Sequence, residues 1–322
     1  MEKLLLLLLP VPFGIGFLTP GAASEPVPGT VVFSYTDPAI VESSGLVARD
    51  DLVVTVNDSG DSNRIFTVDP ATGDTVGVTR WQGDARDIEA LAPVGDGEVY
   101  VGDIGDNEAK RDEIEIARVP FGRGDQEVDA ATYDLVYPDG PHDAESLLVH
   151  PRTGQVFVVA KEFIGRLYAA PEDLAEKGRN ELTAVDEVLG IATDGAFFPD
   201  GEHLVLRNYG QAAVYTWPDL DRVAMVDLPP QQQGEGIAVT ESGEVLIGSE
   251  GAHSEVLRVE VPIEESTEEP TDGSPAPTPS PDSGEAVPVT AAEDRSLWPW
   301  ALGGVAGVAI IAVLLRSLRP RS

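Results

Sequence analysis

No cysteine occurs in the 322 residues, which excludes disulfides, thiolate metal sites and cysteine nucleophiles. Basic side chains are scarce, with 21 Lys and Arg against 56 Asp and Glu. Between residues 25 and 262 the imbalance is 46 acidic to 16 basic, a net charge of −30. A field of that sign repels nucleic acid and anionic headgroups and favours cations. Also missing are a G-x-S-x-G nucleophile elbow, a phosphate-cradling P-loop and an H-E-x-x-H helix, so neither a nucleotide cofactor nor a standard hydrolase motif is expected. Long apolar runs are confined to the two ends.

Those ends have a recognisable order. A leucine run from Leu4 to Leu9 follows Lys3, apolar character continues to Leu18, and Gly21, Ala22, Ala23 and Ser24 supply small residues. This is the arrangement of a secretory signal over 1–24, with an uncleaved anchor as the alternative. Near the other end, 297–315 is uncharged and apolar, long enough as one helix to cross a bilayer. Trp298 and Trp300 stand at its outer edge, while Arg316, Arg319 and Arg321 in the basic tail 316–322 place the C-terminus inside. Gly303 and Gly307 have the small-xxx-small spacing of packed membrane helices. Residues 263–296 are rich in Pro, Ser, Thr, Glu and Asp, a composition that cannot bury enough surface to offset chain entropy and reads as a solvated stalk. The expectation is a single-pass cell-membrane protein with an ectodomain at 25–262 held outside.

Within that ectodomain a motif recurs five times: SSGLVA at Ser43, IEALAP at Ile88, AESLLV at Ala144, TDGAFF at Thr193 and GEGIAV at Gly234. With Ser44, Glu89, Glu145, Asp194 and Glu235 as equivalent points, the spacings are 45, 56, 49 and 41 residues. Four-stranded propeller blades have this period. Second strands follow as DLVVTV, EVYVGD, QVFVVA, EHLVLR and EVLIGS, often after Gly- or Asp-containing turns, and alternating third strands come after them. Fourth strands are visible at DTVGVT, ATYDLV, LTAVDE and RVAMVD, but the fifth copy lacks one. TVVFSY, from Thr30, is the spare strand that would close the ring. The prediction is an all-β propeller of five four-stranded blades plus one C-terminal transmembrane helix. Six blades are the alternative if Phe121 to Pro141 conceals extra strands.

In such a blade, the link into the inner strand and the link between second and third strands emerge on one face. Into the inner strands lead Asp87 and Glu89, Asp143 and Glu145, Asp194, and Glu235. After the second strands come Asp58, then Asp103, Asp106 and Asn107, then Lys161, Arg207 and Glu250. Carboxylates crowded at one channel mouth repel each other unless protonated or bridged, and a hard, oxygen-preferring ion such as Ca²⁺ or another divalent cation relieves this. The six acidic residues of the first group are therefore the candidate metal ligands, and the second group the candidate ligand-binding residues. Lys161 and Arg207 offer an internal alternative to a metal. Asn57 to Asn63 resembles part of a calcium loop but lacks the terminal glutamate. His142 and His253 are expected near the acidic rim, His150 and His203 at the opposite face.

The starts Asp87-Ile88-Glu89-Ala90-Leu91, Asp143-Ala144-Glu145-Ser146-Leu147 and Gly234-Glu235-Gly236-Ile237 resemble those of exported bacterial propellers of the phytase-like and esterase-like group. The resemblance implies calcium at the acidic mouth, held by Asp87, Glu89, Asp143, Glu145 and Glu235, and a phosphoester near Lys161 and Arg207. Three function classes follow: a cation-dependent binding or sensing module, a phosphoester or ester hydrolase, and an interaction domain of the cell envelope. The first is preferred, with a small molecule or a protein as the ligand of the acidic face.

Overall fold

A computed structural model describes residues 25–263, with positions 59, 84 and 96 excepted. The expected signal segment, the stalk beyond 263 and the helix at 297–315 lie outside the described residues. Among the described residues there are 22 strands and no α-helix, hence no helix long and apolar enough to cross a membrane.

The strands form five antiparallel blades. Blade 1 runs outward from its inner strand as β2 (Ser43–Arg49), β3 (Leu52–Asn57), β4 (Arg64–Asp69) and β5 (Asp74–Trp81). Blade 2 comprises β6 (Ile88–Pro93), β7 (Glu98–Asp103), β8 (Ile114–Pro120) and β10 (Ala131–Val136). Blade 3 comprises β11 (Ala144–Val149), β12 (Val156–Ala160), β13 (Gly165–Ala169) and β15 (Thr183–Val188). Blade 4 follows as β16 (Asp194–Phe197), β17 (His203–Arg207), β18 (Gln211–Thr216) and β19 (Arg222–Asp227). Blade 5 takes β20 (Gly234–Val239), β21 (Val245–Ser249) and β22 (Glu255–Val259) from the end of the domain, and β1 (Gly29–Ser34) from its start. The register Gly29↔Val259 to Ser34↔Glu255 makes β1 the outer strand of the last blade, as the spare TVVFSY segment implies.

The stretch from Phe121 to Pro141 holds no sixth blade. It contains β10, the fourth strand of blade 2, and the three-residue β9 (Gln126–Val128), which pairs in parallel with β5 on the outer edge of blade 1. Blade 2 is edged in the same way by β14 (Arg179–Glu181), which pairs in parallel with β10. Each short strand comes from the next blade along the chain and covers part of an outer edge that would otherwise expose unpaired backbone.

Strand periodicity explains the core. Alternate residues of one strand face opposite neighbours, so Val53 packs toward blade 5 with Phe33, Tyr35 and Leu246, while Val54 and Val56 pack toward blade 2 with Leu91 and Val119. Equivalent buried clusters fill the junctions of blades 2 and 3, 3 and 4, and 4 and 5. The hydrophobic core is therefore a ring of five inter-blade layers, and each buried Leu, Ile, Val or Phe in it contributes about 1.5–3 kcal/mol of transfer free energy. Strand direction fixes the faces: inner strands start at the mouth, β22 runs from the mouth toward the opposite face, and β1 starts at that opposite face.

Candidate functional site at the channel mouth

The repeated position does not simply follow the pleat. In blade 2 the pairing jumps from Ile88↔Asp103 to Ala90↔Gly102, which leaves Glu89 on a β-bulge. The same two-for-one irregularity falls at Glu145 in blade 3, at Glu235 and Gly236 in blade 5, and at Ser44 and Gly45 in blade 1. A bulge locally re-aims a side chain. In blade 4 the ladder is regular, with Asp194 paired to Arg207. This difference separates Asp194 from its repeat equivalents.

Asp58, Asp87 and Glu89, from blades 1 and 2, each offer a carboxylate oxygen, and the three oxygens lie within 4.8 Å of one another. Burial, followed by the charges of Asp58, Glu145 and Asp87 and a hydrogen bond with Asp58, pushes the Glu89 carboxyl up to about 11. Asp87 is raised by burial and by Asp58, Asp143 and Asp103. Such a trio holds a proton or a cation in place of full ionisation. Across the mouth, Lys161 Nζ bonds Glu145 Oε1 and stands 5.4 Å from the centre of the Tyr209 ring. Burial raises Glu145 to about 8 although Lys161 pulls the other way. Among the described residues, the second oxygen of Glu145 is buried without a hydrogen-bond partner. Burial opposes the charge on Lys161, but its bonds to Glu145 and Tyr209 outweigh that and hold the ammonium above its ordinary value. Glu235 is raised by burial to about 7, against the pull of Gln233 and Lys161. Gln233 Nε2 donates to Glu235 at 3.1 Å and to Glu250 at 2.6 Å.

Other expected site residues hold the mouth in shape. Asp103 accepts from the amides of Arg86 and Asp87 at 3.0 and 2.9 Å and pairs with Arg111 at 2.7 Å, so it positions Asp87. Asp143 accepts the Asp106 amide at 2.7 Å, and Asp106 in turn caps the amides of Lys110 and Arg111. Asn107 is exposed in the same turn. Asp194 is fully buried and accepts from Gly195 and Ile237 at 2.8 Å each and from Leu46 at 3.4 Å, tying three inner strands together. Arg207 is also fully buried: its guanidinium bonds the carbonyls of Gly236 and Gly248 at 3.1 Å each and the Gln231 side chain at 3.2 Å. Burial lowers it to about 10. A Cβ on Gly234 would fall 1.9 Å from that guanidinium, so only glycine fits beside it.

In the Asn57–Asn63 loop, Asn57 Oδ1 caps the amides of Val41 and Glu42, and Asp61 pairs with Arg64 at 2.8 Å. Asp58 is the member of that loop that joins the carboxylate trio. His142 sits on the mouth face between Glu162 at 2.8 Å and Asp139 at 3.0 Å, and His253 bonds the Tyr35 carbonyl. Sequence reasoning missed Gln233, although an amide run directly before the repeated Gly-Glu of blade 5 was a readable signal. It also gave Tyr209 no role.

The donor set at the Asp58, Asp87 and Glu89 corner is wholly hard oxygen, which fits Ca²⁺, Mg²⁺ or Mn²⁺ and not a soft metal. No family model matches this chain, and no curated protein matches it in sequence.

Proposed function

We propose that the chain is an exported, membrane-anchored propeller whose channel mouth binds a divalent cation of the calcium class and serves as a cation-dependent binding or sensing module. The observation that carries this reading is the Asp58, Asp87 and Glu89 trio, whose oxygens lie within 4.8 Å of one another. The cation takes the place of the proton that burial and the neighbouring carboxylates hold on Glu89. Binding is favoured over phosphoester hydrolysis because the cations available to a phosphate are already engaged: Lys161 with Glu145, and Arg207 with backbone carbonyls beneath the surface.

The test is thermal melting of the chelator-stripped full chain with and without millimolar calcium, magnesium or manganese. A cation at a hundredfold excess over its Kd adds about 2.7 kcal/mol, and Glu89→Gln with Asp87→Asn removes most of the rise. An unchanged melting temperature with all three ions overturns the reading and leaves the mouth as a self-neutralised ring.

A further inference from the structure

Beside the acidic mouth, the links of blades 3 and 4 present an exposed apolar tip. Phe163 is 90% exposed and Ile164 54%, both in the link between β12 and β13. Ile191, in the link into β16, is 39% exposed, and Tyr209, after β17, is 41% exposed. The three links are stitched to one another. Ile191 N donates to Glu162 O at 2.7 Å, Asn208 Nδ2 donates to Gly190 O at 3.4 Å, and a Cβ on Gly190 would lie 2.1 Å from Phe163 O. Ile191 has φ of 55°, a left-handed conformation that a β-branched residue rarely adopts and that persists where surrounding contacts enforce it. The links thus brace one another, with Phe163 and Ile164 the most exposed side chains of the tip.

Its surroundings are acidic. Glu162 lies within the tip, Glu145 and Glu235 act electrostatically on Tyr209, and Glu250 stands on the neighbouring rim. The basic side chains beside the tip have partners: Lys161 is engaged with Glu145, Arg166 pairs with Asp139 at 3.0 Å, and His142 contacts Glu162 at 2.8 Å. We propose that this tip and the acidic rim together dock a basic segment of another protein, one that places an aromatic or aliphatic side chain against Phe163 and Ile164 and Lys or Arg side chains against Glu162 and Glu250. Charge complementarity selects this occupant. A second copy of this domain carries the same net charge of −30 and is repelled, as are the chain's own acidic 263–296 segment and an anionic bilayer. An apolar anchor inside a charged rim is the usual anatomy of a protein-binding surface. The proposal rests on the tip and not on the cation.

The experiment selects random displayed peptides on the full-length chain in nanodiscs, with a Phe163→Ser, Ile164→Ser variant as counter-selection, in chelator and again in calcium. Enriched peptides are expected to combine an aromatic or aliphatic residue with flanking Lys or Arg. One of them, made synthetically, is expected to bind the variant at least about tenfold more weakly and Glu162→Gln, Glu250→Gln several-fold more weakly, with affinity falling as salt rises. Unchanged melting of the variants shows that the fold is intact. Enrichment without basic residues, equal binding to wild type and variants, or no enrichment over the counter-selection overturns the proposal. So does Phe163-dependent binding to vesicles containing anionic lipid, which would assign the tip to a membrane. Binding in chelator together with a failed cation titration would retain this proposal and reject only the cation reading.

Discussion

Glu89, Glu145 and Glu235 share one physical condition: each carboxyl is removed from water at a place where other carboxyls point. In the unfolded chain they titrate near the ordinary 4.5, whereas in the fold they do so at about 11, 8 and 7. The folded state therefore binds more protons than the unfolded state above pH 4.5, and stability falls as pH rises through the folded values. The chelator-stripped protein is expected to melt progressively lower between about pH 5 and 8, with Glu89 extending the loss toward pH 11. Asp61, Asp139 and Asp200 have lowered values and act in the opposite sense only in more acidic solution. Millimolar calcium should flatten the slope, and differential scanning calorimetry at fixed ionic strength would show both effects. Asp194 belongs to a different class. Replacing it with alanine leaves the Ile237 and Gly195 amides without their acceptor and removes one of the two carboxylates, Glu235 being the other, whose charge favours the buried Arg207 guanidinium, a loss of about 3–5 kcal/mol in urea denaturation. Asp194→Asn retains an acceptor oxygen and should cost less.

At the scale of strands, the sequence is most informative where a blade repeats and least where it deviates. The five inner strands, the turns before the second strands and the spare strand at Thr30 were legible because a 41 to 56 residue period and two-residue alternation both report on the same blade. The edging strands β9 and β14 were not, because three residues paired in parallel carry no periodicity. The site was legible as a set of positions but not as a division of labour. Glu89 and Asp194 occupy the same place in the repeat, and only a bulge in one ladder and a regular register in the other sends the first to the trio and the second into the core. Asp103, a ligand-binding candidate, and Asp143, a metal-ligand candidate, also accept backbone amides, a role that a carboxylate does not announce in sequence. Closure by β1 has a direct test. Deletion through Ser34 removes Phe33 from the blade 5 and blade 1 core and exposes the β22 edge, so the truncated protein is expected to lose cooperative unfolding and elute as oligomers on size exclusion.

For the whole molecule, charge is the dominant long-range fact. With a net −30 between residues 25 and 262, self-repulsion opposes compaction, and added salt screens it over a Debye length of about 10 Å at 0.1 M. Raising sodium chloride from 10 to 300 mM in chelator is expected to raise the melting temperature by a few degrees, and by less once calcium is bound. No increase would mean that the exposed acidic groups are too dispersed to matter. Topology is tested separately: protease added to intact cells should remove the propeller while a tag after Ser322 stays protected. The pairing of Gly29 with Val259 carries a further consequence, one of timing. However the chain is delivered, if its N-terminus emerges first, the first strand appears about 220 residues before its partner. Blades 1 to 4 can form while the ring still gapes. The latch shuts only when the last hairpin arrives, so the interval before closure is when an unpaired edge is open to a neighbouring chain or a chaperone.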